Sequence, residues 1–433
     1  MTSRQLAHSL LQRVETNDQF LNLALDHALQ SSNLSEQDRS LCAALVYGVT
    51  ERRLTLDYQI SRLSSRRTED LDLSVKTALR LGLYQLCFMD RIPPHAAINE
   101  SVSLVNRRAG GFVNAVLRAF TRTPSLQFSN REEDPLVYLS VYYSVGLPLV
   151  RKLCDAYGII RTESILSAFQ KASSATTLSV NTLRISKAEL ADRIPEAIPT
   201  SIATTGLLTR GAVRSLYGFE EGLFFVQDEA SQLCVEVLDA QPGDTLMDIC
   251  ACPGSKSFGS AIRMKNEGRI LSFDLHAKKL PLIESGARRL GITIISPAVQ
   301  DGRDSLPEYF GKADRVLCDV PCSGFGVIGK KPELRYKDPA ASEALPDIQL
   351  AILENACRYV KEGGTLVYST CTIFPEENEK NVLRFLAAHS EFSLAPLETA
   401  NLSISAGYET FLPDRYPMDG FFIARMTKHK NTI

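Results

Sequence analysis

From about residue 218 to the C-terminus, short apolar runs alternate with helical patterns, and this alternation restricts the fold more than any other feature of the chain. Gly222 to Val226, Thr245-Leu246-Met247-Asp248-Ile249, Arg269-Ile270-Leu271-Ser272-Phe273, Ile292 to Ile295, Arg315-Val316-Leu317-Cys318 and Thr365-Leu366-Val367-Tyr368 read as strands. Ala277 to Leu290 and Ile348 to Val360 read as helices among them. Strands alternating with helices predict a parallel, doubly wound α/β sheet. Such a sheet binds its ligand beyond the carboxyl ends of its strands. The architecture by itself names no reaction, so the residues at those ends carry the functional reading.

Two of the ends carry cysteines. Asp319-Val320-Pro321-Cys322-Ser323-Gly324 follows one strand and Ser369-Thr370-Cys371-Thr372 follows another, which predicts two thiols and an acid around one crevice. A third end carries Asp248-Ile249-Cys250-Ala251-Cys252-Pro253-Gly254-Ser255-Lys256-Ser257. Small residues there let the backbone approach a ligand, and the helix that follows presents unpaired N–H groups. A phosphate-binding P-loop needs Gly, four residues, then Gly-Lys-Ser/Thr. Cys250 and Ser255 stand where those glycines belong, so that reading fails. Cys250 and Cys252, with Cys318 and Cys322, lack the histidines and close-set spacing of a metal site, and no metal is expected. A small-molecule cofactor loop remains. Asp274 follows the next strand, where a carboxylate can accept both ribose hydroxyls of a nucleoside. Asp301, in Gln300-Asp301-Gly302-Arg303, is placed to cap an adenine. Any one such acid is commonly a helix N-cap; three near successive strand ends favour a ligand.

The chain has 433 residues, which suggests about three domains. Its formal net charge of -2 argues against a generic nucleic-acid coat protein while allowing a local basic face. Ten cysteines scattered over the length read as reduced thiols, and a cytoplasmic location is expected. Cys42, Cys87, Cys154, Cys234, Cys318 and Cys357 read as small buried hydrophobes. No apolar run approaches the roughly 20 residues that span a bilayer. Arg4 and Arg13 mimic a transit peptide, but Glu15 and Asp18 follow at once, so the N-terminus reads as a first helix.

Residues 1–125 read as an all-α bundle. Leu6, Leu10, Leu11 and Val14 share one helix face; Phe20-Leu21 with Leu23 to Leu25 begins a second; Ser35 and Asp38 predict a capped third. Pro93-Pro94 precedes a helix from Ala96 to Val105, and Gly110-Gly111 is expected to start another. Arg66-Arg67, Arg107-Arg108, Arg118 and Arg122 are either a solvated face or a phosphate-binding one. Residues 136–217 read as a small α+β module and 218–433 as the α/β domain.

Resemblances sharpen this. Arg91-Ile92-Pro93-Pro94-His95-Ala96-Ala97-Ile98-Asn99-Glu100-Ser101-Val102, with Gly111-Phe112-Val113-Asn114-Ala115-Val116-Leu117-Arg118, resembles the NusB-type RNA-binding domain. That implies RNA contact by the bundle. Phe225-Val226-Gln227-Asp228-Glu229-Ala230-Ser231-Gln232-Leu233, the loop 248–257, both cysteine motifs, Pro375-Glu376-Glu377-Asn378-Glu379 and Asp419-Gly420-Phe421-Phe422-Ile423-Ala424 resemble the Nop/Sun family, S-adenosylmethionine-dependent RNA (cytosine-5)-methyltransferases. With the NusB-like part, the chain is similar to the RsmB/Sun type, which acts on small-subunit ribosomal RNA. The resemblance implies a Rossmann-like class I methyltransferase domain, Cys371 as nucleophile, Cys322 in product release, and Asp319 and Lys256 beside the base. S-adenosylmethionine would lie against Cys250, Ala251, Cys252, Pro253, Gly254, Ser255, Lys256, Asp274, Asp301 and Asp319. A monomer acting on ribosomal RNA, with no membrane and no metal, is expected. The other readings are a DNA cytosine-5 methyltransferase, with Cys322 as nucleophile, and an antitermination-like RNA-binding factor with a degenerate fold. Cys252, Ser255 and Ser257 replace the family's Ala, Gly and Thr, and Ser255 is expected to strain the loop if it needs positive φ. Gly329-Lys330 replaces a common Arg-Arg pair, which would weaken phosphate contacts.

Overall fold

Apolar residues repeating at helical spacing build the first compact unit, Met1–Gln170 together with Lys331–Pro339. The computed structural model describes residues 1–17, 21–171 and 175–430, so the helix start expected at Phe20 lies outside the described residues. Helices Ser3–Asn17, Leu21–Gln30, Glu36–Glu51, Arg53–Ser64, Leu73–Phe88, Pro94–Ser103 and Arg107–Arg122 bury Leu10, Leu21, Leu45, Leu79, Leu83, Val113 and Leu117 against one another. Ser35 caps its helix as expected, accepting from Asp38 N at 3.2 Å. The helix expected at Gly110 begins three residues earlier, because Asn106 Oδ1 accepts from Ala109 N at 3.1 Å and caps it there. Inside the bundle, Arg80 bonds Asp57 and Glu15, each at 2.6 Å. Helices Pro135–Tyr143, Leu147–Tyr157 and Ile159–Lys171 complete the order. Lys331–Pro339 joins this unit from far along the chain: Tyr336 OH accepts from Arg53 N at 3.1 Å, and Arg335 O from Gly146 N at 2.8 Å.

The second unit, Lys171–Lys330 with Ala340–Ile433, holds two main sheets. The smaller is antiparallel: β1 (Thr176–Val180), β2 (Ile198–Pro199), β3 (Gly206–Thr209) and β4 (Phe224–Val226), in the order β2-β3-β1-β4. β4 was expected among the doubly wound strands but pairs with β1, Leu178 opposite Val226. An apolar run fits either sheet, and periodicity does not name the partner.

The larger sheet has a parallel centre of β5 (Thr245–Asp248), β6 (Arg269–Asp274), β7 (Ile295–Val299), β8 (Ala313–Asp319) and β9 (Val360–Thr370), in the order β9-β8-β5-β6-β7. The strand expected at Ile292 starts at Ile295, because Ile292 N bonds Ala287 O at 2.9 Å and completes the helix cap at Gly291. The sheet is mixed rather than wholly parallel. Of β10 (Phe392–Leu394), β11 (Leu397–Glu398), β12 (Ser403–Ile404), β13 (Tyr408–Phe411) and β14 (Phe421–Lys428), β14 runs antiparallel along β9 and carries β10 and β13, while β11 and β12 pair separately. An antiparallel edge on a parallel sheet is common. The chain moves outward from β5 to β7 and then returns to β8 on the other side of β5, so the switch point lies between β5 and β8.

Candidate active site

β8 and β9 are parallel neighbours with Asp319 opposite Ser369, so the loops that follow them leave the sheet side by side. This register brings Cys322 Sγ to 3.2 Å from Cys371 Sγ, and Cys371 N donates to Cys322 Sγ at 3.3 Å. Neither thiol is in a disulfide. The contact with Cys371, and then burial, pushes the Cys322 thiol well above its ordinary pKa. Burial and the neighbouring sulfur therefore disfavour a thiolate at Cys322, and either sulfur can be the donor in the contact.

Asp319 ends β8 with both oxygens engaged: Ser369 Oγ donates to Oδ1 at 2.8 Å and Lys256 Nζ to Oδ2 at 2.6 Å. Burial opposes the Lys256 charge, but Asp319, with the Cys234 and Cys371 thiols, outweighs it and lifts the ammonium pKa. Lys256 belongs to helix Ser255–Arg263, so the pair ties the loop after β5 to the end of β8.

A layer beneath clasps the two cysteine loops. Glu377 accepts from Ser323 Oγ at 2.5 Å, Ser323 N at 2.9 Å and Gln349 Nε2 at 2.9 Å, while Gln349 also donates to Pro321 O at 3.0 Å. Thr370 Oγ1 donates to Asn378 Oδ1 at 2.6 Å, and Asn378 Nδ2 to Thr372 O at 3.0 Å. Gly326 N donates to Cys371 O at 2.9 Å, and Gly420 N to Gly326 O at 2.8 Å. Pattern reading assigned no task to Gln349, Gly326, Glu377, Asn378 or Gly420. An acid–amide pair six residues past a site cysteine was the one available signal.

In the loop after β5, Ala251 N bonds Phe273 O at 2.7 Å, and Cys252 N and His276 N donate to Asp274 at 3.3 and 2.9 Å. Pro253 sits between Cys252 and Gly254, and Gly254 takes the positive φ of 108°. The strain expected at Ser255 does not arise: Ser255 opens the helix, and glycine stands where the left-handed turn needs it. Burial pushes the Cys250 and Cys252 thiols up, Cys252 to about 12, so both are neutral. Ser257 Oγ lies 2.6 Å from Asp248 Oδ2 and 2.8 Å from Ser272 Oγ. Asp301 is held by Arg303 through its backbone and guanidinium, which lowers its pKa to about 2. Lys330 bonds Asp228 and Asp419. Cys42, Cys234, Cys318 and Cys357 are buried as expected, whereas Cys87 and Cys154 are half-buried. Among the described residues no three His, Cys, Asp or Glu form a metal-holding group, and no helix is long and apolar enough to cross a membrane.

Known proteins resemble the chain over nearly its whole length. Residues 235–427 match the family model 16S rRNA methyltransferase RsmB/F, and residues 1–122 match the NusB family. A "Probable ribosomal RNA small subunit methyltransferase B" of Bacillus subtilis is 36% identical, covering 98% of each chain. One of Synechocystis is 35% identical over 99% of this chain and 100% of its own. The chain belongs to the RsmB/F methyltransferase family. The crystal structure of PH0851 matches with a TM-score of 0.81 and 27% identity over 99% of each chain.

S-adenosylmethionine is the cofactor of this RsmB/F-family chain, and the residues present fit it. The loop from Cys250 to Ser257 is small-sided and ends at a helix N-terminus. Asp274 closes β6 beside it; each carboxylate oxygen takes one backbone N–H and keeps a lone pair able to accept a further hydrogen bond.

Asp248 makes a pH signature. Burial raises its pKa from 3.8 to about 7, against the lowering by Ser257. A carboxyl raised on folding favours the protonated state, so its stability contribution is full below about 4 and is lost as pH rises to about 7. Asp248→Asn is expected to flatten the decline of stability over that window. Urea denaturation at successive pH values checks it; parallel pH curves for the two proteins would exclude Asp248 as the titrating group.

Proposed function

We propose that the chain methylates C5 of a cytosine in small-subunit ribosomal RNA through a covalent Cys371–C6 adduct. The observation that carries this reading is the Cys322–Cys371 thiol pair at 3.2 Å beside the Asp319–Lys256 pair. Cytosine C5 is a poor nucleophile until a thiolate adds to C6 and makes C5 enamine-like, splitting one hard step into two easier ones. S-adenosylmethionine, when bound, supplies an electrophilic methyl group. Cys371 forms the C6–S bond while its thiol proton passes to N3, where it neutralises the adduct and is held by hydrogen bonding to Asp319. Lys256 holds Asp319 in place. Once Cys371 is bound through sulfur, Cys322 releases its proton to solvent, and its thiolate takes the C5 proton as the C6–S bond breaks and the N3 proton returns to the Cys371 sulfur.

The target base has to leave its stack, which is cheapest in a single-stranded loop. Arg66, Arg67, Arg107, Arg108, Arg118 and Arg122 are all exposed on the helical unit and supply its proposed RNA contacts. An antitermination-like binding factor is not favoured, because it would have no use for the assembled Cys322, Cys371, Asp319 and Lys256.

The decisive experiment incubates wild type, Cys371→Ala and Cys322→Ala with S-adenosylmethionine and small-subunit ribosomal RNA, then looks for a denaturant-resistant protein–RNA band. The band is expected to accumulate in Cys322→Ala and to be absent from Cys371→Ala. The reverse pattern would make Cys322 the nucleophile, as in the DNA-type alternative.

A further inference from the structure

A separate cavity of about 120 Å³ lies between β1, the residues after β4, and helices Glu229–Leu238 and Ser255–Arg263. Space for one water takes about 10–15 Å³, so the cavity exceeds a single-water site several-fold. Val180, Val235 and Ile262 give it apolar walls. Its polar side is built and left incomplete. Gln227 is only 3% exposed, yet neither its Nε2 nor its Oε1 has a hydrogen-bond partner. Glu236, 6% exposed, receives Thr204 N and Oγ1 on Oε1 at 2.7 and 2.6 Å, while Oε2 has no partner. The charge of Lys187, whose Nζ donates to Thr204 O at 3.1 Å, acts on Glu236. The scaffold is rigid where it matters: Gln232 Nε2 donates to Gln227 O at 3.0 Å, and Gln227 N to Thr177 O at 3.1 Å. Buried polar groups are nearly always paired, and each orphan costs free energy, so three in one cavity point to a ligand.

The open atoms are one amide donor group and two acceptors, one of them a carboxylate. The edge that answers them offers one acceptor and two donors. Among the nucleobases, guanine presents O6, N1–H and the 2-amino group in that order. Adenine and cytosine lack the second N–H donor position, and uracil has a single one. We propose that the Gln227–Glu236 cavity takes the Watson–Crick edge of an unstacked guanine, with Gln227 Nε2 on O6, and Gln227 Oε1 and Glu236 Oε2 accepting from N1–H and the 2-amino group. Val180, Val235 and Ile262 line the base plane. Guanine of the RNA substrate is the expected source, which rests on the RNA reading above; a free guanine nucleotide has the same chemistry.

The test measures binding of the full chain, without S-adenosylmethionine, to a U-rich RNA oligomer carrying one central guanosine, inosine or adenosine, and separately to guanosine monophosphate. The guanosine oligomer is expected to bind about tenfold tighter than the inosine one, which lacks the 2-amino group. Gln227→Met and Glu236→Gln should erase that difference, and Cys371→Ala should keep it, so this result stands apart from the outcome of the adduct experiment. The guanosine–inosine comparison on wild type needs no variant to fold. Guanosine monophosphate binding that the two variants lose, with no discrimination among oligomers, would assign the cavity to a free nucleotide. Equal binding of all oligomers and no mononucleotide binding would mean a water-filled cavity and would overturn the proposal.

Discussion

Lys256→Met is expected to lower methyl transfer by about 100-fold, the cost of a displacement of about 1 Å at a reacting group, because Lys256 positions Asp319. The same change should destabilise the fold by about 3 kcal/mol, because breaking a buried pair leaves a charge uncompensated. The low end of that range applies because the Asp319 side chain keeps 29% of its exposure while Lys256 keeps 9%. Asp319→Asn should act in the same direction on both quantities. In the double variant the orphaned charge is gone, so most of the stability should return while methyl transfer stays at the level of the worse single variant. Urea midpoints and single-turnover rates on ribosomal RNA read the two effects separately. Additive losses of stability in the double variant would show that the 2.6 Å contact is not the interaction that holds the two residues.

Gly326→Ala should cost about 3 kcal/mol or more, beyond the usual range for an added methyl. A Cβ on Gly326 would stand 1.9 Å from Gly420 O and 2.8 Å from Cys371 O. Both are backbone atoms, and both belong to the hydrogen-bonded chain that runs from Cys371 through Gly326 to Gly420. Relief therefore requires moving the loop that carries Cys371, and a displacement of about 1 Å at a reacting group can cost about 100-fold in rate. Gly111 is the control: a Cβ there meets nothing within 4 Å on helix Arg107–Arg122, so Gly111→Ala should be neutral or stabilising by up to about 1 kcal/mol. Equal melting temperatures for wild type and Gly326→Ala would show that the loops yield without cost.

Much of this was legible in the chain itself. A strand ends where its apolar run ends, so Asp248, Asp274, Asp319 and Cys371 could be placed at strand ends from sequence, and the fold class followed from the alternation. Local chemistry also placed the Ser35 cap and the break at Pro93-Pro94. Two things were not legible because they are decisions between distant segments. Apolar β4 could enter either sheet, and only packing chose β1 as its partner. The tail strand β14 runs antiparallel on β9, a pairing across some fifty residues that no local pattern specifies.

The sequence by itself determined which groups the site contains: two thiols, an ammonium, and carboxylates on short loops after strands. Only the tertiary structure decided which of them meet. The β8–β9 register set the thiols 3.2 Å apart, Lys256 crossed to Asp319, and Glu377 bound Ser323 from the far side of the second cysteine loop. The physical reason is range. Propensity and periodicity act over a few residues, whereas hydrogen bonds and burial take effect only after the chain has returned on itself. The same reason hid the Gln227–Glu236 cavity, in which each polar residue is ordinary in sequence and unpaired only in the fold.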